Sequence, residues 1–217
     1  MAHKEQLEFI HTIRRVFPDS FIDKHILEIG SLDINGSVRS LFSKCNYVGI
    51  DVAPGAGVDV VCEAQVYAAP DNSFDVVISC EVMEHNPHWS KTMKNMVRLC
   101  KPGGIVIMTC ATLGRREHGT ARTSPEASPL TVSLGWTYYR NLTSFDFRKE
   151  GAAEGLSHIF AYNWESRDLY LIGIKGAVQA NEQEKLRAIR SDYRKEFWSS
   201  WRSIRRASKA ILLNKRN

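Results

Sequence analysis

The feature that most constrains the fold of this 217-residue chain is a short apolar strand that ends in a glycine turn. Residues 26–29 read Ile-Leu-Glu-Ile, Gly30 follows them, and a small polar turn closes at Gly36 before a helix-like pattern over residues 37–42. Glycine permits a positive φ and lets a ligand approach the main chain closely. A strand, a glycine turn and a helix in this order build a nucleotide-type site at the carboxyl edge of a parallel sheet.

Further apolar segments recur along the chain and predict a domain of alternating strands and helices. The second strand ends on Asp51, where a carboxylate can accept hydrogen bonds from two ribose hydroxyls. The segment Phe74–Cys80 reads as a strand that is buried on both faces. The other predicted elements are strands at residues 47–50, 58–61 and 105–109 and a helix over residues 89–100.

Together these segments resemble the small, single-domain class I S-adenosylmethionine-dependent methyltransferases. The matching motifs keep the family's order and rough spacing across residues 24–111; they are Leu27-Glu28-Ile29-Gly30, Gly49-Ile50-Asp51, Asp71–Val77, Glu84-His85 and Leu99–Gly104. The resemblance implies an α/β, doubly wound, mostly parallel seven-stranded sheet with an antiparallel edge hairpin, and S-adenosyl-L-methionine as the cofactor. One departure lies in the first loop, where residues 31–35 replace the family's tighter run of glycines.

The resemblance also assigns the cofactor contacts. It places Glu28 near the amino end of the methionine moiety, Asp51 on the ribose, and Glu63 with Ala64 at the adenine. The residues after the fourth strand, Cys80 and Glu81, are expected to border the methionine moiety. The complete expected cofactor set is Glu28, Gly30, Ser31, Asp51, Glu63, Ala64, Cys80, Glu81 and His85.

Two histidines are alternative candidates for a catalytic base. His85 matches the family's Glu-His pair beyond the fourth strand, and its other interpretation is a loop-ordering residue bonded to a backbone carbonyl. His118 lies in the long connection over residues 112–135, which is expected to lie over the cofactor side or to be a solvated loop. The expected acceptor-binding set, which would suit an anionic or sugar-like molecule, is Arg115, Arg116, His118, Tyr138, Tyr139 and Arg140.

The closing segment carries a helix signal and two strand signals. Thr143 is a predicted N-cap for a short helix through Lys149, with Asp146 as its acidic capping partner. Residues 156–162 and 169–175 predict two strands, which the family resemblance pairs as an antiparallel hairpin.

Cysteine usage and hydropathy indicate a cytoplasmic protein. Five cysteines, an odd number without C-x-x-C spacing, predict reduced and mostly buried thiols, and we predict no metal site. The polar N-terminus does not read as a signal peptide, and no apolar stretch approaches the roughly 20 residues that span a bilayer.

Charge separates the chain into a body and a tail. Residues 184–217 hold eleven basic and three acidic residues, so the tail has a net charge of +8. Since the whole chain has a net charge of +5, residues 1–183 have a net charge of −3. We therefore predict a methyltransferase domain over residues 1–183 and a basic amphipathic helix over residues 184–217. This helix would carry an apolar stripe formed by Phe197, Trp198, Trp201, Ile204, Ala207 and residues 211–213. Such a stripe favours one of three roles for residues 197–217: a peripheral contact with the inner membrane surface, a contact with a protein partner, or packing on the chain's own domain.

The expected activity is methyl transfer to a hydroxyl of a small molecule or saccharide. One alternative is a nucleic-acid methyltransferase that uses the basic tail, but the fourth strand ends Ser79-Cys80-Glu81-Val82 and lacks the Asn/Asp-Pro-Pro-aromatic signature of base-amino methylation. The acidic body does not favour a phosphate-binding groove, so nucleic acid is the weaker acceptor. The other alternative is a non-catalytic module that keeps the cofactor fold. Sequence does not define the oligomeric state.

Overall fold

The computed structural model describes residues 4–199 and positions 205 and 208. The strands are β1 (His25–Ile29), β2 (Asn46–Asp51), β3 (Val60–Val61), β4 (Phe74–Cys80), β5 (Cys100–Ala111), β6 (Leu156–Asn163) and β7 (Asp168–Lys175). The helices are α1 (Lys4–Val16), α2 (Trp89–Leu99), α3 (Pro129–Ser133), α4 (Ser144–Lys149) and α5 (Ala180–Ser199). Single 3₁₀ turns include Val38–Leu41, Met83–His85 and Pro125–Ala127.

The strands form one seven-stranded sheet in the order β3-β2-β1-β4-β5-β7-β6. Strands β1 to β5 pair in parallel, whereas β7 pairs antiparallel with both β5 and β6. The predicted doubly wound fold with an antiparallel edge hairpin is confirmed. The chain leaves β1 toward β2 on one side and later returns to β4 on the other, so the strand order reverses beside β1. Ligands of open α/β sheets bind at the carboxyl ends of the strands at such a point.

Two apolar cores cover the two faces of the sheet. On one face Leu27 and Ile29 pack with residues of α2 and α4, including Met93 and Phe147. On the other face α1 and α5 supply the cover, and Phe9 of α1 stacks on Tyr170 of β7 at 4.4 Å between ring centroids. Because both faces are covered, the parallel strands are apolar along most of their length.

The helix predicted over residues 37–42 is wrong, since only the 3₁₀ turn Val38–Leu41 forms there. The turn ends at Phe42, whose backbone is extended with a φ of −96° and a ψ of 129°, and whose amide donates to the Arg39 carbonyl. Ser37 caps the single turn by accepting a hydrogen bond from the Arg39 amide.

The other local predictions for the second half are confirmed. Thr143 and Asp146 form a reciprocal capping box at the start of α4, which ends at Lys149 as expected. The hairpin strands β6 and β7 cover the two predicted segments. All five cysteines are free thiols as predicted, but only Cys100 and Cys110 are buried, so the expectation that most thiols are buried is wrong.

The boundary predicted at residue 184 falls inside α5, whose first turns pack on the body. Leu186 and Ile189 are buried in the core beside α1, and Tyr193 makes an edge contact with the Phe9 ring at 5.7 Å. The predicted apolar stripe at Trp201, Ile204, Ala207 and residues 211–213 lies outside the described residues, as do the side chains of Phe197 and Trp198. Within the described part of the chain, no helix is long and apolar enough to cross a membrane.

Candidate active site

A pocket opens at the carboxyl ends of β1, β2 and β4, where the reversal of strand order predicts a ligand site. It encloses about 670 Å³ of empty space including its mouth. Its sheet-side wall comprises Ile29, Gly30, Leu32, Ile34, Ile50, Asp51, Val52, Cys62, Ala64, Gln65, Cys80, Glu81, Val82, His85 and Asn86. Its cover comprises Ala127, Ser128, Pro129, Leu130, Thr131 and Trp136, so the long connection lies over this side as predicted.

Asp51 lies at the end of β2 with its carboxylate held by the backbone. Oδ2 accepts a hydrogen bond from the Leu32 amide at 3.1 Å, and Oδ1 accepts one from the Val52 amide at 2.8 Å. A carboxylate has about four acceptor positions. Two therefore stay available on the pocket side, which suits a ligand that presents two neighbouring hydroxyls.

The first loop turns without the family's run of glycines because polar side chains bond it to its surroundings. Asp33 Oδ1 accepts the Gly36 amide at 2.8 Å, and the Gly30 amide donates to the Ile50 carbonyl at 2.9 Å. Ser31 is buried behind the loop against Gly49, where an added Cβ would lie 2.7 Å from the Ser31 side chain. Ser31 therefore shapes the loop and does not line the pocket.

Of the nine residues predicted to contact the cofactor, six line the pocket: Gly30, Asp51, Ala64, Cys80, Glu81 and His85. Glu63 is not among them: its side chain is exposed and accepts a hydrogen bond from Gln65, which does line the pocket. Glu28 also lies elsewhere. Strand alternation turns it to the opposite face of the sheet from Leu27 and Ile29, where it accepts a hydrogen bond from the Tyr47 hydroxyl at 2.8 Å.

Burial of Glu28 raises its pKa to about 7, an effect that the Tyr47 hydrogen bond opposes. Because the pKa of this carboxyl is higher in the folded state than in the unfolded state, Glu28 favours folding most below pH 4.5, and this contribution is lost as the pH rises through 7. The variant Glu28→Gln keeps an acceptor for Tyr47 but does not ionise. We therefore expect the free energy of unfolding of Glu28→Gln, relative to that of the parent, to be about 1–3 kcal/mol higher at pH 8.5 than at pH 5. Urea unfolding at both pH values measures this gain.

Glu63→Gln provides the matched control, because it makes the same chemical change at a carboxylate that is exposed. A gain for Glu28→Gln that does not depend on pH would contradict the raised pKa. A large loss of cofactor affinity in the same variant would instead support the predicted contact with the methionine moiety.

The two candidate bases lie together beside the pocket. The rings of His85 and His118 meet edge to face at 5.0 Å between centroids, and Tyr139 packs against both rings at 5.5 and 5.1 Å. Gly119 permits this packing, because a Cβ there would lie 2.7 Å from Cε1 of His85. The fully buried Glu84 joins the cluster, with Oε1 accepting the Ala111 amide at 3.0 Å.

The environment of His85 does not favour its role as a catalytic base. Burial lowers its pKa to about 3, and neighbouring His118 acts in the same direction. Burial also lowers the pKa of His118, and burial raises that of Glu84 well above its usual range with a further contribution from the Glu81 carboxylate. His85 is thus a neutral imidazole at physiological pH and a weak base.

Arg115, which was predicted to bind the acceptor, does not line the pocket and forms an ion pair within the fold. Its Nη1 donates to Oδ1 of Asp168 at 2.8 Å, and that carboxylate is fully buried at the start of β7. Arg140 is exposed and pairs with Asp146 at 2.7 Å, while its amide donates to the Glu84 carbonyl. Arg116 and Tyr138 do not line the pocket either, so His118 and Tyr139 are the predicted acceptor residues that the structure brings near it.

The sequence placed the long connection over this side, but it did not single out the cover residues within it or Trp136, and it did not bring Glu84, His85 and His118 together. Each of these three offers one potential ligand atom, and the three atoms lie within 4.8 Å of one another. The prolines at positions 125 and 129, which start short helical turns, were the available signal for the cover. No spacing rule pairs residues 84 and 118, because their proximity depends on the folded connection.

Comparison with known proteins supports the resemblance to methyltransferases that the sequence motifs indicate. Residues 27–108 match the family model described as a methyltransferase domain. The ubiquinone biosynthesis O-methyltransferase of Maricaulis maris is 31% identical over 106 residues, which cover 48% of this chain and 38% of that protein.

Two solved structures show the same fold at low sequence identity. Phosphoethanolamine N-methyltransferase 2 of Haemonchus contortus, in complex with S-adenosyl-L-methionine, gives a TM-score of 0.56 at 18% identity, covering 79% of this chain and 53% of that one. The YcgJ protein of Bacillus subtilis gives 0.52 at 11% identity, covering 78% of this chain and all of that one. The chain thus spans about half the length of the first of these. The resemblance drawn from the motifs is confirmed at the level of the fold: residues 27–108 match a methyltransferase domain, and the chain has the fold of the class I methyltransferases.

Proposed function

We propose that this chain binds S-adenosylmethionine in the pocket described above and transfers its methyl group to a hydroxyl of a small molecule or saccharide. The observation that carries the proposal is the position of Asp51, at the end of β2 in the wall of a pocket of about 670 Å³.

The residues of the pocket fit the cofactor's chemistry. The two unused acceptor positions of Asp51 suit the two ribose hydroxyls. Ile50, Val52 and Ala64 give the adjoining wall an apolar surface suited to a flat base. At the other end Gly30 keeps the backbone open to close approach, which the methionine moiety requires.

Two observations favour oxygen in a small acceptor. The Maricaulis maris relative is an O-methyltransferase by name, and its match covers 48% of this chain. The net charge of −3 on residues 1–183 offers no electrostatic attraction to a phosphate backbone. The Haemonchus contortus enzyme, an N-methyltransferase by name, is similar in fold only and does not bear on the acceptor.

The bound cofactor supplies a methyl group on a sulfonium, which is already activated for in-line displacement. The chain's own contribution is to align the acceptor oxygen with that methyl group and to exclude water. The cover, with Leu130 and Trp136, provides the exclusion. His85 is too weak a base to remove the hydroxyl proton efficiently, because its pKa lies at about 3.

Titration calorimetry with S-adenosylmethionine tests the cofactor site. We expect Asp51→Ala to lose about 1.5–3 kcal/mol of binding free energy, because hydrogen bonds to a charged group are removed. That corresponds to about a tenfold to a hundredfold loss of affinity. Asp51→Asn, which keeps one acceptor oxygen, should lose less. Unchanged affinity in a folded Asp51→Ala protein would refute the assignment.

The acceptor is tested with cofactor labelled in its methyl group against matched panels of hydroxyl and amine compounds, including saccharides. We expect label on hydroxyl compounds, and the transfer should weaken in Asp51→Ala at subsaturating cofactor. Label found on amines alone would refute O-methylation while leaving the cofactor site intact.

A further inference from the structure

Glu84, His85 and His118 form a cluster beside the pocket, which only His85 of the three lines, and we propose that they bind a divalent transition-metal ion such as Zn²⁺. The group joins the turn after β4 to the long connection, and its three potential ligand atoms lie within 4.8 Å of one another. Two imidazoles and one carboxylate are a donor set that zinc and neighbouring first-row metals prefer over Mg²⁺ or Ca²⁺.

The buried carboxylate is built to face a cation. Glu84 is fully buried, and while Oε1 accepts the Ala111 amide, Oε2 has no hydrogen-bond partner among the described residues. Leaving a buried polar atom unpaired costs free energy, and a buried charge costs much more. A bound cation gives Oε2 the partner that it lacks. The carboxylate of Glu81, in the adjoining pocket wall, adds negative potential at Glu84.

Each imidazole has a ring nitrogen that is available to bind a metal ion. His118 Nδ1 lies 3.0 Å from the Arg116 carbonyl oxygen. That oxygen can only accept, so Nδ1 carries the proton and Nε2 keeps its lone pair, and such a backbone bond commonly orients a metal-bound histidine. His85 is 4% exposed, and its Nδ1 has no partner within the described part of the chain.

The spacing fits an ion better than a direct hydrogen-bond network. Ligand atoms about 2.1 Å from a tetrahedral ion lie about 3.4 Å apart, so the cluster needs only a small contraction to close around one. No hydrogen bond joins any two of Glu84, His85 and His118 in the described structure, although the rings of the two histidines are in contact. The nearby cation, Arg115, is neutralised by Asp168 and does not replace the ion.

The ion would serve the reaction proposed above, and this step alone rests on that proposal. Three protein ligands leave a coordination position free, and His85 connects the cluster to the pocket wall. An acceptor hydroxyl bound there would lose its proton to water more readily, because the ion lowers its pKa. The freed oxygen pair then forms the bond to the methyl carbon, and the pair of the broken carbon–sulfur bond returns to sulfur.

The test is metal binding by the full chain after chelator treatment, without cofactor or acceptor. Calorimetry with Zn²⁺ alone should show one equivalent bound, with Mg²⁺ far weaker. His118→Ala should lower the Zn²⁺ affinity by at least about 100-fold, since changes even in residues that only orient ligands cost about 10–100-fold. The exposed His11 gives the matched control, because His11→Ala should bind as the parent does.

The isosteric Glu84→Gln keeps the experiment decisive if His118→Ala fails to fold, and it should also lose Zn²⁺ affinity. Absence of binding in the parent, or equal binding by the parent and the folded cluster variants, would overturn the proposal. Cofactor affinity should be unchanged in His118→Ala. The metal site and the methyl-transfer function can therefore fail independently: an enzyme with no Zn²⁺ site refutes only the former.

Discussion

Replacing Arg115 by alanine is expected to lower the free energy of unfolding by about 3–5 kcal/mol, although Arg115 lies on a loop. The guanidinium donates to Oδ1 of Asp168 at 2.8 Å, and the carboxylate has no exposed surface. Removing one partner of a buried pair leaves an uncompensated buried charge, which is much more costly than removing an exposed ion pair. Urea unfolding of Arg115→Ala measures the loss.

The neighbouring residue provides a matched control. Arg116 is exposed, and Arg116→Ala should change stability by no more than about 0.5 kcal/mol. Combining Arg115→Ala with Asp168→Asn removes the buried charge as well, so the double variant should recover part of the lost stability. If Arg115→Ala were as stable as the parent but lost acceptor binding, the sequence-based assignment of Arg115 to the acceptor would be restored.

The features that could be predicted from sequence depend on local signals. The capping box of Thr143 and Asp146 involves residues three apart, so the sequence contains the whole interaction. The buried strands β4 and β5 can be predicted because each contains an unbroken apolar run, Val76–Ile78 and Ile105–Met108, as parallel strands covered on both faces require. The position of Asp51 in the pocket follows from strand order alone.

The features that were missed depend on partners distant in sequence. Asp168 is 53 residues from Arg115, and nothing in either segment marks them as a pair. Residues 37–42 carry a helical pattern, but only the single 3₁₀ turn Val38–Leu41 forms there, because the chain is already extended at Phe42. Glu28 matched a family motif, but it contacts Tyr47 instead of the pocket. That contact depends on the face of the sheet that Glu28 occupies and on the residues that cover this face.

Site chemistry was the least predictable part, because burial determines it. A histidine in a loop reads from sequence as a titrating group, but the packing of Tyr139 and Gly119 around His85 excludes water and lowers its pKa to about 3. The same enclosure leaves Glu84 Oε2 without a partner among the described residues. A base in the sequence thus becomes a candidate metal ligand in the fold.

Gly30→Ala is expected to cost about 2–5 kcal/mol of stability and to weaken cofactor binding. Gly30 has a φ of +75°, and an L-residue there loses about 1–2 kcal/mol. An added Cβ would also lie 2.1 Å from Cγ2 of Val82, and overpacking of this kind costs about 1–3 kcal/mol more. Since Val82 lines the pocket, relief of the clash changes the wall that we propose contacts the cofactor.

Gly103 separates the two contributions. Its φ of +77° is almost the same, but a Cβ there would meet nothing within 4 Å, so Gly103→Ala should show the backbone cost alone and leave cofactor affinity unchanged. Adding Val82→Ala to Gly30→Ala removes the clashing methyl and should recover part of the difference, though not all, since the Val82 Cβ would still lie at 3.3 Å. Urea unfolding and cofactor calorimetry on the parent, Gly30→Ala, Gly103→Ala and the double variant measure these costs. Equal costs at Gly30 and Gly103 would mean that Val82 moves aside freely, and the close contact between the first loop and the turn after β4 would then not hold the pocket in shape.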